Sequence, residues 1–140
     1  MATRGALRTC IPANHHKAVA LRCTADTSVL KDDMSFGNVG VEIEDVIRMN
    51  ASCMAVQCFV GSAGELDSLR NLSYYVNMGE RFAIPVLGVV AVGKEMDVLR
   101  VISPLATRLL AETGAHIIKT ILLLITSNKV TAACPVTIRI

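Results

Sequence analysis

The run Gly114-Ala115-His116-Ile117-Ile118-Lys119-Thr120 is a short apolar strand that ends on a lysine. Faces alternate along a strand, so Ile117 and Lys119 point one way and Ile118 and Thr120 the other. In an α/β protein with its helices outside, one of those faces is a closed interior. A lysine held there loses hydration, which lowers its pKa and leaves a neutral amine. Such an amine attacks a carbonyl carbon and forms a Schiff base. The other reading is a strand-end lysine that buries its stem and keeps its head in water. From spacing alone that second reading is the commoner case.

Other chemistry has less support. The cysteines are Cys10, Cys23, Cys53, Cys58 and Cys134, and no two are spaced C-x-x-C. Their odd count and scatter argue against a disulfide framework or a zinc site, and most read as small buried hydrophobes. The histidines, His15, His16 and His116, lack metal-ligand spacing. No metal is expected. No glycine-rich dinucleotide fingerprint and no P-loop follows any strand, which weakens Rossmann and NTPase readings.

A length of 140 residues fits one domain, and 52% hydrophobic residues is above the roughly 45–50% of ordinary chains. Aromatic residues are 4% and Trp is absent, so Val, Ile, Leu, Ala and Met must fill the core. Such aliphatic content argues against disorder and suits parallel strands buried on both faces. The net charge is +2 with the basic residues scattered along the sequence. Nucleic acid demands a basic patch or stripe, so no nucleic-acid partner is expected. The apolar run Ile121 to Ile125 is far short of the ~20 residues of a membrane helix. The N-terminus has no apolar signal core. The expectation is a cytoplasmic protein without membrane contact.

The elements that must position the lysine follow in order. Ala18 to Arg22 reads as a short buried strand, Gly37 to Ile43 as a small excursion strand, and Glu44 to Asn50 as a short helix. Cys53 to Val60 is the clearest strand, with Gln57 its one polar residue. Ser62 and Glu65 form an S-x-x-E capping box that predicts a helix start, with Leu66, Leu69, Leu72, Ser73 and Val76 inward and a stop at Gly79. Val86 to Val92 is another buried strand. Ser103-Pro104 predicts the start of a second helix, which Gly114 ends. After the lysine strand come an apolar loop or helix over Ile121 to Ile125, a polar turn, and a last strand from Val136 to Ile140. Strand and helix alternate, which is parallel α/β. A piece of a (β/α)8 TIM barrel fits best, although 140 residues are fewer than the ~200 that a closed barrel needs.

Four blocks carry a family resemblance: Val56-Gln57-Cys58-Phe59-Val60-Gly61-Ser62, Ala91-Val92-Gly93-Lys94-Glu95-Met96, Ala106-Thr107-Arg108 and Gly114 to Thr120. The string Val41 to Asn50 joins them, and the likeness runs from Thr3-Arg4-Gly5 to Cys134-Pro135-Val136. In these the chain resembles the class I aldolases of the archaeal fructose-bisphosphate aldolase and deoxyribose-phosphate aldolase group. Within it the likeness is greatest to the branch of 3-hydroxy-5-phosphonooxypentane-2,4-dione (autoinducer-2) thiolases. The resemblance implies a TIM barrel with a Schiff-base lysine on its sixth strand, which is Lys119 here. It implies a phosphorylated sugar or ketone substrate, cleavage or transfer at a C–C bond, and homo-oligomers. No cofactor is implied, apart from coenzyme A as co-substrate in the thiolase branch. Gln57 and Arg22 then lie near strand ends at the barrel mouth as substrate contacts. Gln57 reads equally as a satisfied interior amide, and Arg22 reads more readily as half of an internal salt bridge. Lys94, after a glycine, is either a turn residue or a basic group for the phosphate.

Some family features have no counterpart. The Asp-His-Gly block of the family's first strand is absent, and the chain stops at Ile140, before the glycine-rich phosphate loops of the seventh and eighth strands. Ile121 and Leu122 replace the two tyrosines that follow the Lys-Thr pair, and Ala25-Asp26-Thr27 stands where the branch has small residues and an Asn. One incomplete TIM-barrel domain over 1–140 is therefore expected. Two functions stand open: a Schiff-base lyase (aldolase) or acyltransferase (thiolase) completed by further chain, or a catalytically inactive aldolase-family chain that acts by association through open sheet edges.

Overall fold

The computed structural model describes residues 1–12, 14–26, 30, 35–91, 99–126 and 129–139, and of these 99–102, 121–126 and 129–136 by backbone course alone. In chain order the elements are α1 (Arg4–Thr9), β1 (Ala20–Arg22), β2 (Thr24–Asp26), β3 (Gly37–Val39), α2 (Ile43–Arg48), β4 (Cys53–Phe59), α3 (Glu65–Phe82), β5 (Val86–Ala91), α4 (Leu99–Glu112), β6 (Ile117–Thr126) and β7 (Lys129–Arg139). A five-stranded sheet has the order β1-β4-β5-β6-β7, and β2 and β3 form a separate antiparallel pair. The pairs β1–β4, β4–β5 and β5–β6 are parallel, as the strand–helix alternation predicts.

The two faces of the sheet differ. Leu21, Met54, Val56, Cys58, Val86, Val90 and Ile118 meet Leu72 and Tyr75 of α3 and Ala106 and Leu110 of α4 on one face. Val46 of α2 belongs to the same cluster, and Leu7 of α1 packs against it. Burying each large side chain of this kind contributes about 1.5–3 kcal/mol. The other face carries Cys53, Ala55 and Leu87 with Ala20, Val89 and Ile117, and among the described residues no helix joins that cluster. Helices on one side only are the winding of a barrel; a doubly wound sheet has them on both.

Tyr75 holds the helix side to the loops. Its ring is fully buried, and its hydroxyl lies 2.8 Å from the carbonyl oxygens of both Cys23 and Val41. The single hydroxyl proton is shared between them.

Several sequence expectations need correction. Residues 4–9, for which the sequence predicts no element, form α1, whose N-cap Thr3 accepts the Ala6 N–H on its side-chain oxygen. The Ser62/Glu65 capping box does not form: α3 starts at Glu65 after Gly64, Ser62 donates to the Phe59 carbonyl, and the Glu65 carboxylate accepts the Gly61 N–H at 2.6 Å. The inward stripe of α3 is Ser68, Leu72, Tyr75 and Gly79, while Leu66 and Ser73 are exposed. The helix runs past Gly79 and ends at Ala83 in the left-handed region (φ 54°). Helix α4 begins at Leu99 and carries Pro104 inside it. It ends as expected before Gly114, whose φ of 104° favours glycine. The stretch 121–125 is strand, the continuation of β6, and the last strand starts at Lys129 and runs antiparallel to β6.

Gly79 is a close-approach glycine. A Cβ there would lie 2.5 Å from the Ile84 carbonyl oxygen and 3.1 Å from Val86 Cγ2. Helix propensity alone would make Gly79→Ala stabilising by about 1 kcal/mol. The clash is with backbone, so the expected result in urea unfolding is a loss of about 1–3 kcal/mol. A more stable Gly79→Ala would show that α3 and the start of β5 are not packed this closely.

Candidate functional site

The parallel register assembles the site. Gln57 pairs with Val89, and Val89 pairs with Lys119, so the three stand in one row across β4, β5 and β6. The row continues to Thr137 of β7, which pairs with Lys119. Residues paired across strands share a face. That face is the helix-free one, since Val89 packs in its cluster. Two strand spacings place the backbones of Gln57 and Lys119 roughly 10 Å apart. Arg22 pairs with Ala55, two residues before Gln57, and shares the face. Arg22 and Gln57 lie toward the C-terminal ends of β1 and β4, the end where TIM barrels place their chemistry. Lys119, third residue of the longer β6, is the last residue of its parallel pairing with β5.

The opposite face fixes the orientation of Lys119. Its neighbour Ile118 is fully buried under the helices. Its other neighbour, Thr120, is also buried, with Oγ1 3.2 Å from Ser103 Oγ of α4. His116, just upstream, accepts the Val86 N–H on ring Nδ1 at 3.2 Å and donates its backbone N–H to the Val86 carbonyl at 3.0 Å. That double link ties β6 to β5. Lys119 itself is half-buried. The ion pairs among the described residues engage Arg4, Arg22, Arg48, Arg70, Arg108 and His116, and leave Lys119 aside.

Gln57 is half-buried, and its backbone N–H donates to Thr24 Oγ1 at 3.2 Å. Arg22 forms the internal salt bridge that sequence reasoning offered as its alternative, and the partner is Asp26. The Asp26 side chain is 7% exposed. Burial raises its carboxyl above the usual range, and the Arg22 guanidinium pulls the other way. Asp26 Oδ1 and Arg22 Nε are buried without a hydrogen-bond partner among the described residues. Lys94 lies outside the described residues.

Asp26 and Thr137 are the polar groups that the sequence reading did not place here. The cysteines on this part of the sheet offer no nucleophile at neutral pH. Burial pushes the Cys23 and Cys58 thiols up to about 12, and raises that of Cys53. Among the described residues, no group of three or more His, Cys, Asp and Glu could hold a metal ion. No helix among them is long and apolar enough to cross a membrane.

No family model matches the chain. Over 138 residues, 99% of its length, it is 41% identical to an uncharacterised aldolase of Pasteurella multocida (strain Pm70). Over an equal span it is 41% identical to the 3-hydroxy-5-phosphonooxypentane-2,4-dione thiolase of Klebsiella pneumoniae. The chain is a homologue of these aldolases and thiolases. It spans 47% and 46% of the two proteins, about half their length. Among solved structures it is similar to an archaeal fructose 1,6-bisphosphate aldolase, with a TM-score of 0.66 and 18% identity over 81% of this chain and 45% of the other. It is equally similar, at TM-score 0.67, to an archaeal aldolase whose catalytic lysine is covalently bound to the carbinolamine intermediate of its substrate. The shared fold is the TIM barrel of these aldolases, and the chain supplies about half of it.

The raised pKa of Asp26 has a signed consequence. Between its ordinary value of 3.8 and the raised value, the folded chain holds a proton that the unfolded chain has released. Stability therefore falls as pH rises through that window. Urea unfolding between about pH 4 and about pH 7 should show this slope in the natural chain and lose it in Asp26→Asn. An unchanged slope in the variant would place the raised carboxyl elsewhere.

Proposed function

We propose that residues 1–140 form one incomplete barrel domain of a class I aldolase or thiolase in which Lys119 is the Schiff-base residue. The observation that supports this most is the Gln57–Val89–Lys119 row on the helix-free face. The lysine that sequence resemblance selects thus faces what would be the barrel interior, beside a second polar group on a neighbouring strand. Homology to proteins named aldolase and thiolase supports the same chemistry.

In this reading the Lys119 amine adds through its nitrogen lone pair to the ketone carbon of a phosphorylated sugar-like substrate. Loss of water from the carbinolamine gives an iminium. The C–C bond one carbon away then breaks: the hydroxyl on its far carbon gives its proton to water and becomes the carbonyl of the leaving fragment, while the electron pair of the broken bond passes into the iminium to give an enamine. Protonation and hydrolysis return the free lysine. In the thiolase variant an acyl group passes to coenzyme A as co-substrate. Gln57 contacts substrate hydroxyl or carbonyl groups on the opposite side of Val89. Lys94, which follows β5 in the sequence, is kept as a basic group for the phosphate. Arg22 contacts substrate only with Asp26 attached, because the two are ion-paired.

One observation favours a second reading, in which the chain is catalytically inactive and acts by association. Ala2 bridges to Leu21 alongside β1: its N–H donates to the Ala20 carbonyl, and its carbonyl accepts the Arg22 N–H. The outer edge of β1 therefore accepts a parallel strand, and another chain or a homologue could supply one.

Incubation with dihydroxyacetone phosphate, borohydride reduction and peptide mapping separates the two readings. The expected result is one reduced adduct on Lys119, absent from Lys119→Met. Gln57→Leu should slow its formation about tenfold, the equivalent of one lost hydrogen bond to substrate. Adducts spread evenly over the lysines, or none at all, would leave the homology intact and sink the claim that this chain carries the chemistry.

A further inference from the structure

The opposite end of the sheet holds a second site. A pocket of about 700 Å³ opens between the α1–β1 connection and the α2–β4 turn. It lies at the strand starts: Val19 N–H donates to Ser52 Oγ, and Ser52 N–H donates to the Val19 carbonyl, just before β1 and β4 begin. Arg22 and Gln57 are toward the other ends of these two strands, and Lys119 stands in the Gln57 row. The two sites are therefore separate.

The lining of this pocket is basic. Arg8, His15, His16, Lys17 and Arg48 all contribute, and no Asp or Glu does. The basic and acidic residues of the chain are nearly balanced, fourteen against twelve, yet Arg8, Lys17 and Arg48 meet in this lining with no carboxylate among the lining residues. Residues scattered in the sequence are gathered there by the fold.

The groups are also available. Arg48 is held by Asp45 at 2.8 Å, but Arg8 and Lys17 take no part in the ion pairs among the described residues. His15 Nδ1 is buried without a hydrogen-bond partner among them. A buried ring nitrogen in that state costs free energy unless a ligand or water meets it. The remaining lining includes Leu7, Ile11, Pro12 and Met49, with no aromatic ring to stack on a base. The volume is in the range of small-molecule sites, and convergent cations in a concavity favour multiply charged anions.

We infer that this pocket binds a small aliphatic organic phosphate carrying at least two negative charges. Arg8 and Lys17 supply the charge-assisted hydrogen bonds, His15 supplies a polar contact on the wall, and the aliphatic lining accepts the carbon skeleton. The ligand binds at the strand starts, apart from the Gln57–Lys119 row, and no covalent step is involved.

Isothermal titration of the 140-residue chain with 3-phosphoglycerate tests this. That probe has a phosphate and a carboxylate but no aldehyde or ketone, so it forms no imine with Lys119. Saturable binding that weakens with added salt is expected, at least tenfold weaker in Arg8→Ala/Lys17→Ala. Both side chains are exposed, so the double variant should keep the natural circular dichroism spectrum. His15→Phe, which removes the ring nitrogens at similar volume, should also weaken binding. Lys119→Met should bind as the natural chain does. Absence of saturable binding, equal affinity in Arg8→Ala/Lys17→Ala, or loss of binding in Lys119→Met would each overturn the assignment.

Discussion

Whatever chemistry Lys119 performs depends on the parallel register that joins β4, β5 and β6. Strand side chains have a period of two, so a slip of one residue would turn Lys119 under the helices and bring Ile118 and Thr120 to the open face. Burying an ammonium among Leu110, Ala106 and the rest of the helix-side core would cost several kcal/mol. The register is held at points away from the lysine. His116 clamps the start of β6 to the start of β5, and the Ser103–Thr120 hydroxyl contact ties β6 to α4. Each lies within three residues of Lys119, and the structure assigns none of them a contact with its amine. The geometry of the amine is thus set by the packing of the other face.

A second chain of support reaches the β1 side of the mouth. The Cys23 carbonyl accepts the N–H groups of Gly40 and Val41 and the hydroxyl of Tyr75. With Cys23 fixed, Thr24 is placed to take the Gln57 N–H, and Arg22 is turned to the helix-free face. The cost appears at the next residues. Arg22 and Asp26 are paired but imperfectly satisfied, with one buried atom each lacking a partner. Buried pairs of this kind contribute little to stability and are held in place by the surrounding fold. Their presence at a strand end is consistent with a mouth that sacrifices local stability for polar groups.

The sequence was most legible where one local signal ruled. The strands β4 and β5 follow from short continuous apolar runs, the shared face of Ile117 and Lys119 from strand alternation, and the Gly114 stop from backbone conformation. It was less legible where tertiary contacts outvote local signals. Ser62 and Glu65 have the spacing of a capping box, yet Ser62 finds the Phe59 carbonyl and Glu65 finds the Gly61 N–H instead. Gly79 looked like a helix stop, but it is there because the backbone of Ile84 passes too close for a side chain. Asp26 was invisible as the partner of Arg22 because the break between β1 and β2 at Cys23 interrupts the alternation that would have aligned them. The basic pocket could not be seen at all, since residues 8, 15–17 and 48 come together only when β1 and β4 pair.

The two edges of the sheet set different conditions for any completion of the barrel. At β1, among the described residues, the edge is met only by Ala2, and that bridge is parallel. A strand arriving alongside would extend the ladder in the direction that a barrel requires, without displacing anything described. At β6 the edge is taken by β7, antiparallel along the length of β6 with a register shift between Leu122 and Leu123. An antiparallel strand there is not the neighbour that an all-parallel barrel has. It also shields the edge that would otherwise pair with other chains. Completion from the β1 side needs only addition, while completion from the β6 side needs β7 to leave first. Lys119 lies next to the protected edge, paired with Thr137 of β7. The backbone of Lys119 is thus braced on both sides, by Val89 of β5 and Thr137 of β7, whereas the β1 edge lies three strands away from it.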